Sequence, residues 1–464
     1  MEDKSKIIED LCAHVLETRF ENIDESVIEG NKNLIIDVLG CIIGGANAYG
    51  NRALVDLIRY LGGRPEATIL VHGDKVPAQN AAMVNSILSR SYDFEPVACY
   101  VNGVLYPPHL AGTTVPTAIS VGESRRVDGK ELLTALIVGN DVALRIFCAP
   151  TNVWDIKKHL LPWASVNVFG ATAIAGRLLG LNHSQLRNAF GIAISMMAGA
   201  GSGLFEGATT FKINQGTSAR DGILAAELAK RGWIGIKDPL FSRFAYYDVF
   251  TPVGCDRPEF ITADLGKKFY YETLIKPYPG GVPTHAPIDA ALALANKHDI
   301  KFEEIEEVEL LLTHISEWYL KPDVVGEDPV GWACFNYKYA VATALMRRSV
   351  DLENFAEDSI LDPRIQLLLP RIKIRSFPPE RPRQHVVKLV VKTKDGREFS
   401  ESVVAARGHH PNPPLSREEI IQKFYAQVKF SRTVSRKNAE KLLNLVQRLE
   451  EIDDVSKIVE FTLM

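Results

Sequence analysis

Four short stretches combine residue types that can move a proton or hold an anion. Ser91-Tyr92-Asp93-Phe94-Glu95-Pro96 places two carboxylates at i and i+2 beside aromatics, and His109 follows an irregular stretch at what reads as a helix start. These types suit an acid, a base or a ligand, and equally a helix C-cap with a surface histidine. Gly207-Ala208-Thr209-Thr210-Phe211-Lys212 leads to Gly216 and Arg220, so Lys212 sits among small residues, which suits a buried anion partner or a solvated turn. Lys276-Pro277-Tyr278-Pro279-Gly280-Gly281, with Thr284, His285 and Asp289, is a rigid loop before a helix. Helix N-termini attract anions, so carboxylate binding fits, as does a domain hinge. Tyr337-Lys338-Tyr339 lies on a helical run where core aromatics are the plain alternative. General motifs add little. Gly199-Ala200-Gly201-Ser202-Gly203 has no preceding strand, and phosphate-loop, zinc-helix and nucleophile-elbow patterns are absent. His409-His410 resembles a metal pair, but adjacent side chains diverge, and a loop entering a Pro-rich turn explains it.

The elements that must position these residues change character along the chain. To about residue 265 the apolar spacing is helical, as at Ile7, Ile8, Leu11, Val15 and Leu16. Clusters of small residues (Gly40, Gly44 and Gly45; Gly170, Ala171 and Ala173) predict helices whose backbones approach closely. A hairpin is expected near Ala67–Val76. From 266 to 409, Val308, Leu310 and Leu312 alternate with polar neighbours, and Asp395-Gly396 separates two strand-like runs. Helices are expected at Pro287–Ala295 and Tyr337–Arg347. Ser416-Arg417-Glu418-Glu419 has the form of a capping box opening a charged helical tail. The fold class is mainly α: a large multi-helical domain, 1–265 completed by 410–464, with a smaller α+β lid domain, 266–409.

Composition bounds the partners. Hydrophobic residues at 46% and charged residues at 24% describe a globular chain of 464 residues. Lys+Arg number 53 against 57 Asp+Glu, a net charge of −4, so nucleic acid is not expected as a partner. The stretches 33–48 and 167–181 are the most apolar, yet Asp37 and Arg177 interrupt them, and neither reaches the roughly 18–20 residues of a membrane span. The first twenty residues are charged and helix-periodic, unlike an export signal. Six scattered cysteines without a C-x-x-C pair frame no zinc or iron–sulfur site and suggest a reducing, cytoplasmic setting.

Taken in order and spacing, these stretches resemble the MmgE/PrpD family of 2-methylcitrate dehydratases, cis-aconitate decarboxylases and iminodisuccinate epimerases. The resemblance is carried by SRSYDFEP, HLAGTTVPTAISVGE, GNDVALRI, VFGATAIAGRLLGL, TTFKINQGTSARDG, IKPYPGGVPTHAPIDA, FNYKYAVATAL and PNPPLSREEIIQKF. It implies a homodimer and cofactor-free chemistry, with no metal, at a cleft between the two domains. It also implies catalytic roles for Asp93, His109, Lys212 and Tyr339, and substrate-binding roles for Lys276, His285 and His159. Two lysines would stabilise an enediolate-like charge, work that a metal cluster does in aconitase-like enzymes.

Three departures stand out. A family histidine falls at Leu161, the decarboxylases' histidine past the lid lysine is Gly281, and a family tyrosine is Asn140. Losing such polar residues implies a different substrate shape or one fewer carboxylate contact. The function expected is therefore a lyase working at the α-proton of a small di- or tricarboxylic acid, with 2-methylcitrate-like dehydration foremost. Amino-dicarboxylate epimerisation and cis-aconitate decarboxylation are alternatives, and a non-catalytic carboxylate-binding paralogue is the alternative of another class.

Overall fold

The computed structural model describes residues 4–153, 165–251, 254–378 and 385–463. The fold is mainly α, with a small sheet in the C-terminal part. The longer N-terminal helices are α1 (Ile7–Glu17), α2 (Glu25–Gly45), α3 (Asn51–Leu61), α4 (Ala78–Ser89), α5 (Ala111–Arg125), α6 (Gly129–Cys148), α7 (Asn167–Leu178), α8 (His183–Ala193) and α9 (Ile213–Lys230). The small residues decide how they pack. A Cβ on Gly139 of α6 would lie 2.9 Å from the Gly170 carbonyl of α7, and one on Gly170 would lie 3.1 Å from the Gly139 carbonyl. The two helices therefore touch backbone to backbone, and any larger residue would force them apart. Helix α9 packs on α4, α7 and α8, which surrounds it with apolar neighbours. Among the described residues no helix is long and apolar enough to cross a membrane.

The alternating segment forms β5 (Ile305–Leu312), in which Ile305, Val308, Leu310 and Leu312 are buried. Two short antiparallel pairs precede it in the chain, β1 (Ala67–Thr68) with β2 (Lys75–Val76) and β3 (Cys99–Val101) with β4 (Val104–Tyr106). The four-stranded sheet runs β6 (Ile372–Ser376), β5, β7 (Val387–Thr393), β8 (Glu398–Val403); β5 and β6 are parallel and the other pairs antiparallel. Gly396, at φ 86°, makes the expected turn between β7 and β8. Helix α10 (His285–Lys297) covers β7 and β8, and α11 (Tyr337–Arg347) packs on α10.

The stretch before His109, read from sequence as irregular, contains the β3–β4 hairpin instead. Asn102 and Gly103 both adopt positive φ, 52° and 77°, which is the backbone an Asn-Gly two-residue turn supplies.

The tail forms α12 (Arg417–Ser431) and α13 (Arg436–Gln447). Ser416 and Glu419 complete the expected capping box, with the Ser416 N–H donating to Glu419 Oε2 at 2.8 Å. Helix α12 lies along α2, where a Cβ on Gly40 would meet Gln427 and Phe424. Lys423 of α12 pairs with the wholly buried Asp37 of α2 at 2.8 Å and donates to the Phe94 carbonyl at 2.7 Å. The acidic residue that interrupts the apolar run of α2 is thus an anchor for the tail.

Candidate active site

Helix α4 ends at Arg90, and the chain then turns sharply through Asp93. Asp93 and His109 both hold left-handed backbone, φ 48° and 54°. Such conformations cost of order 1–3 kcal/mol in non-glycine residues and persist where the surroundings impose them. Here those surroundings are visible. The His109 N–H donates to the Val97 carbonyl at 3.1 Å, and its own carbonyl accepts from Gln215 of α9 at 2.8 Å and Asn167 of α7 at 3.1 Å. The next two amides, of Leu110 and Ala111, donate to the Glu272 carboxylate at 2.7 and 2.8 Å, so Glu272 caps α5 where it leaves the site.

Four charged side chains meet His109. The buried Arg90 guanidinium pairs with both Asp93 and Glu95 and adjoins His109 Nδ1. His109 Nδ1 lies 2.9 Å from Glu95 Oε1. Lys276, wholly buried, places Nζ 2.9 Å from Asp93 Oδ1 and 2.6 Å from the Asp93 carbonyl. Burial pushes Glu95 upward, but Arg90, Lys276 and His109 outweigh it and hold the carboxyl well below its ordinary range. Burial, then the Arg90 charge, lower His109 to about 4. His109 is therefore neutral at pH 7, with Nδ1 shared between the Arg90 guanidinium and Glu95; in the tautomer that gives its Nδ1 hydrogen to Glu95, Nε2 keeps a lone pair that can take a proton.

Asp93, Glu95 and His109 offer ligand atoms within 4.8 Å of one another, the donor set of a cation site. Arg90 and Lys276 already neutralise those carboxylates, so a divalent ion would be set against two fixed positive charges. The residues present do not fit a metal.

Lys212 lies one step away. Its ammonium donates to the Tyr49 carbonyl at 2.7 Å and Asn51 Oδ1 at 3.1 Å, and the Asn51 amide donates to Ser91 Oγ at 2.7 Å. Phe211 stacks under the Arg90 guanidinium at 5.9 Å. Burial lowers Lys212 to about 8.

The other expected site residues lie differently. His285 is wholly buried behind Lys276, with Nδ1 3.0 Å from Nε2 of His409. Burial, then the neighbouring His409 and Lys276, lower His285 well below its ordinary value, and burial and Lys276 lower His409 to about 4. His409 is thus a buried partner of His285 rather than part of an exposed loop. Tyr339, expected in a catalytic role, donates its hydroxyl to the Asn354 carbonyl and packs between Trp332 and Phe355, because its position on α11 faces the core of the C-terminal part. His159 and Leu161 lie outside the described residues. Asn140, read as a lost pocket residue, binds Thr114 at 2.7 Å and Asn31 at 2.9 Å in the helical core.

Arg90, Glu272, Gln215 and Asn167 were not among the expected site residues. Arg90 left a trace in sequence, three residues before Asp93. Gln215 lies inside TTFKINQGTSARDG, three residues past Lys212, while Asn167 and Glu272 come from segments outside the stretches that carry the resemblance.

Two buried histidines, His285 and His409, and the part-buried His109, all held neutral, make the fold acid-sensitive. Their folded pKa values lie below the roughly 6.5 of an unfolded histidine, so the stability they add is present above that pH and is lost as pH falls toward 4. We expect Tm to fall by several degrees between pH 7 and pH 5, measured by calorimetry, and a His409→Gln variant to show a smaller drop.

Comparison with known proteins follows the same outline. Residues 9–254 match the MmgE/PrpD N-terminal domain and 278–451 the MmgE/PrpD C-terminal domain. The cis-aconitate decarboxylase of Mus musculus is 26% identical over 94% of this chain and 89% of its own length. The Homo sapiens enzyme of that name is 25% identical over 94% and 90%, and that of Aspergillus terreus 22% over 98% and 96%. With both domains matched in order over most of its length, the chain belongs to the MmgE/PrpD family.

Proposed function

We propose that this protein is a cofactor-independent lyase that removes a proton next to a carboxylate of a small tricarboxylic acid, with dehydration of a 2-methylcitrate-like hydroxy acid as its reaction. The observation that carries the reading is a neutral base, His109, fixed by Glu95 beside the buried cations Arg90 and Lys276. His109 Nε2 takes the α-proton, and the electron pair left on carbon spreads into the adjoining carboxylate. The two cations stabilise the charge that develops there. The pair then forms the double bond as the β-hydroxyl leaves. That hydroxyl departs as water, with its proton supplied by Lys212.

A second reading is decarboxylation of cis-aconitate, favoured by the names of the curated relatives. There a C–C bond breaks, CO2 leaves, and a proton from Lys212 enters at carbon. Both readings place the site where the helical body (1–265 with 410–464) meets the lid (266–409), in a cytoplasmic homodimer; light scattering against the 51.4 kDa protomer mass checks the dimer.

Mass spectrometry of purified protein with 2-methylcitrate, citrate and cis-aconitate separates the readings. Loss of water from the first two supports dehydration, and CO2 release with itaconate-type product supports decarboxylation. Tight binding of all three by calorimetry without turnover would overturn both in favour of a non-catalytic carboxylate binder. Lys212→Met is expected to lower kcat/KM by about 10²-fold or more, as loss of a positioned charge does; unchanged turnover would remove Lys212 from the site. In wild type, kcat/KM should stay level from about pH 5 to 7, fall above about 8 as Lys212 loses its proton, and fall toward pH 4 as His109 gains one.

A further inference from the structure

Gly281 has ordinary backbone, φ −76° and ψ 144°, so nothing in its conformation requires glycine. What requires it is Tyr319. A Cβ at 281 would overlap the Tyr319 hydroxyl oxygen, Cε1 and Cζ, so the tyrosine occupies the volume a side chain at 281 would fill. Position 281 lies five residues beyond Lys276 on the loop that forms one wall of the charged group, and its N–H is tied to the Cys334 carbonyl at 2.9 Å.

Tyr319 is held from the other side by rings. It meets Phe335 edge-on with centroids 5.7 Å apart and Tyr337 at 5.4 Å, and Phe335 in turn meets Phe211, the ring beneath Arg90. Burial, then the nearby Asp93 charge, push its hydroxyl well above the ordinary tyrosine value, so it stays protonated and able to donate. Tyr319 also lines a cavity of about 500 Å³ whose walls include Lys321, Lys338, Lys373 and Arg375 and no carboxylate. Two of those cations are drawn to acids at the margin, Lys338 to Asp323 at 2.7 Å and Arg375 to Glu309 at 3.7 Å. The tyrosine thus stands between a positively charged cavity and the Arg90–Asp93–Lys276 group.

We propose that Tyr319 is a substrate-binding residue of this site, its hydroxyl donating to a carboxylate oxygen from the place a side chain at 281 would occupy, with Gly281 kept side-chain-free to admit it. The assignment rests on the lyase reading above for its substrate class, a small di- or tricarboxylate. One lost hydrogen bond to a charged group corresponds to roughly tenfold in affinity.

The test uses full-length protein, with citrate binding by calorimetry and turnover of 2-methylcitrate and cis-aconitate measured side by side. Tyr319→Phe should weaken citrate binding and raise KM about tenfold while leaving Tm and the pH profile of kcat in place, a split that a purely structural role would not give. Gly281→Ala should weaken binding at least as much by expelling the ring. Gly281→Ala/Tyr319→Ala should be no worse than Tyr319→Ala alone, since the two changes empty the same contact. If the wild type turns over substrate and Tyr319→Phe matches it in KM, or if the Gly281 and Tyr319 losses add, the assignment is wrong and the lyase reading stands. If Tyr319→Phe loses citrate binding while the wild type has no turnover, the assignment stands and the lyase reading falls. No citrate or substrate binding by the wild type would overturn both.

Discussion

His109→Asn should lower kcat by roughly 10²–10⁴-fold, the usual loss when a positioned base is removed. Asparagine is the replacement of choice because it tolerates left-handed backbone better than other non-glycine residues. With φ at 54°, alanine would add strain and confuse a catalytic loss with a structural one. Asparagine keeps a polar group near Glu95 but offers no basic nitrogen. Tm is expected to change little, and the loss should appear in kcat at saturating substrate. A variant retaining more than a tenth of wild-type kcat would remove His109 as the base.

The second large effect is on stability. Lys423→Met leaves the wholly buried Asp37 carboxyl without its partner at 2.8 Å, and burial already pushes that group upward. Breaking such a pair from one side costs about 3–5 kcal/mol. It also frees the Phe94 carbonyl, between Asp93 and Glu95, so activity should fall with stability. Lys423→Met/Asp37→Leu should recover much of the lost Tm, because no uncompensated charge then remains in the core. If the double variant is no more stable than Lys423→Met, packing rather than charge holds α12 to α2. Thermal shift and chemical denaturation decide between these outcomes.

The two experiments bear on one design. Arg90, Asp93 and Glu95 follow the end of α4, His109 precedes α5, Lys276 comes from the loop before α10, and Lys423 reaches them from the tail. Asp93 takes a cation, Lys276, from a distant segment, and Arg90 pairs locally with both Asp93 and Glu95. The strained backbone of His109 is held by the Val97 carbonyl and by side-chain amides of α7 and α9, contacts that keep the site preorganised.

Local signals in the sequence proved dependable where the physics is local. The Ser416–Glu419 capping box, the Asp395-Gly396 turn, the α11 helix and the alternation of β5 each depend on residues within a few positions of one another. Small residues likewise foretold close helix contact, realised at Gly139 and Gly170. Asp93, His109, Lys212 and Lys276 were legible as chemistry-bearing types, and family resemblance grouped them. Tyr339 lies on the helix expected for it, but helical spacing fixes a residue's face and not what that face meets, here Asn354, Trp332 and Phe355. The Asn102-Gly103 hairpin was overlooked although its signal was local.

What tertiary structure alone decided was pairing and protonation. No local pattern could join Asp37 to Lys423, Lys276 to Asp93 or Glu272 to the start of α5, because those partners are separated by 386, 183 and more than 160 residues. The protonation state of His109 follows from burial beside Arg90, a property of the packed environment and not of the residue. The glycine at 281 reads in sequence as a lost side chain, and only the folded chain reveals the tyrosine in its place. Sequence determines which groups can ionise and where helices and strands begin. The low dielectric and fixed neighbours of the folded interior determine which of those groups carry charge, and therefore which can act.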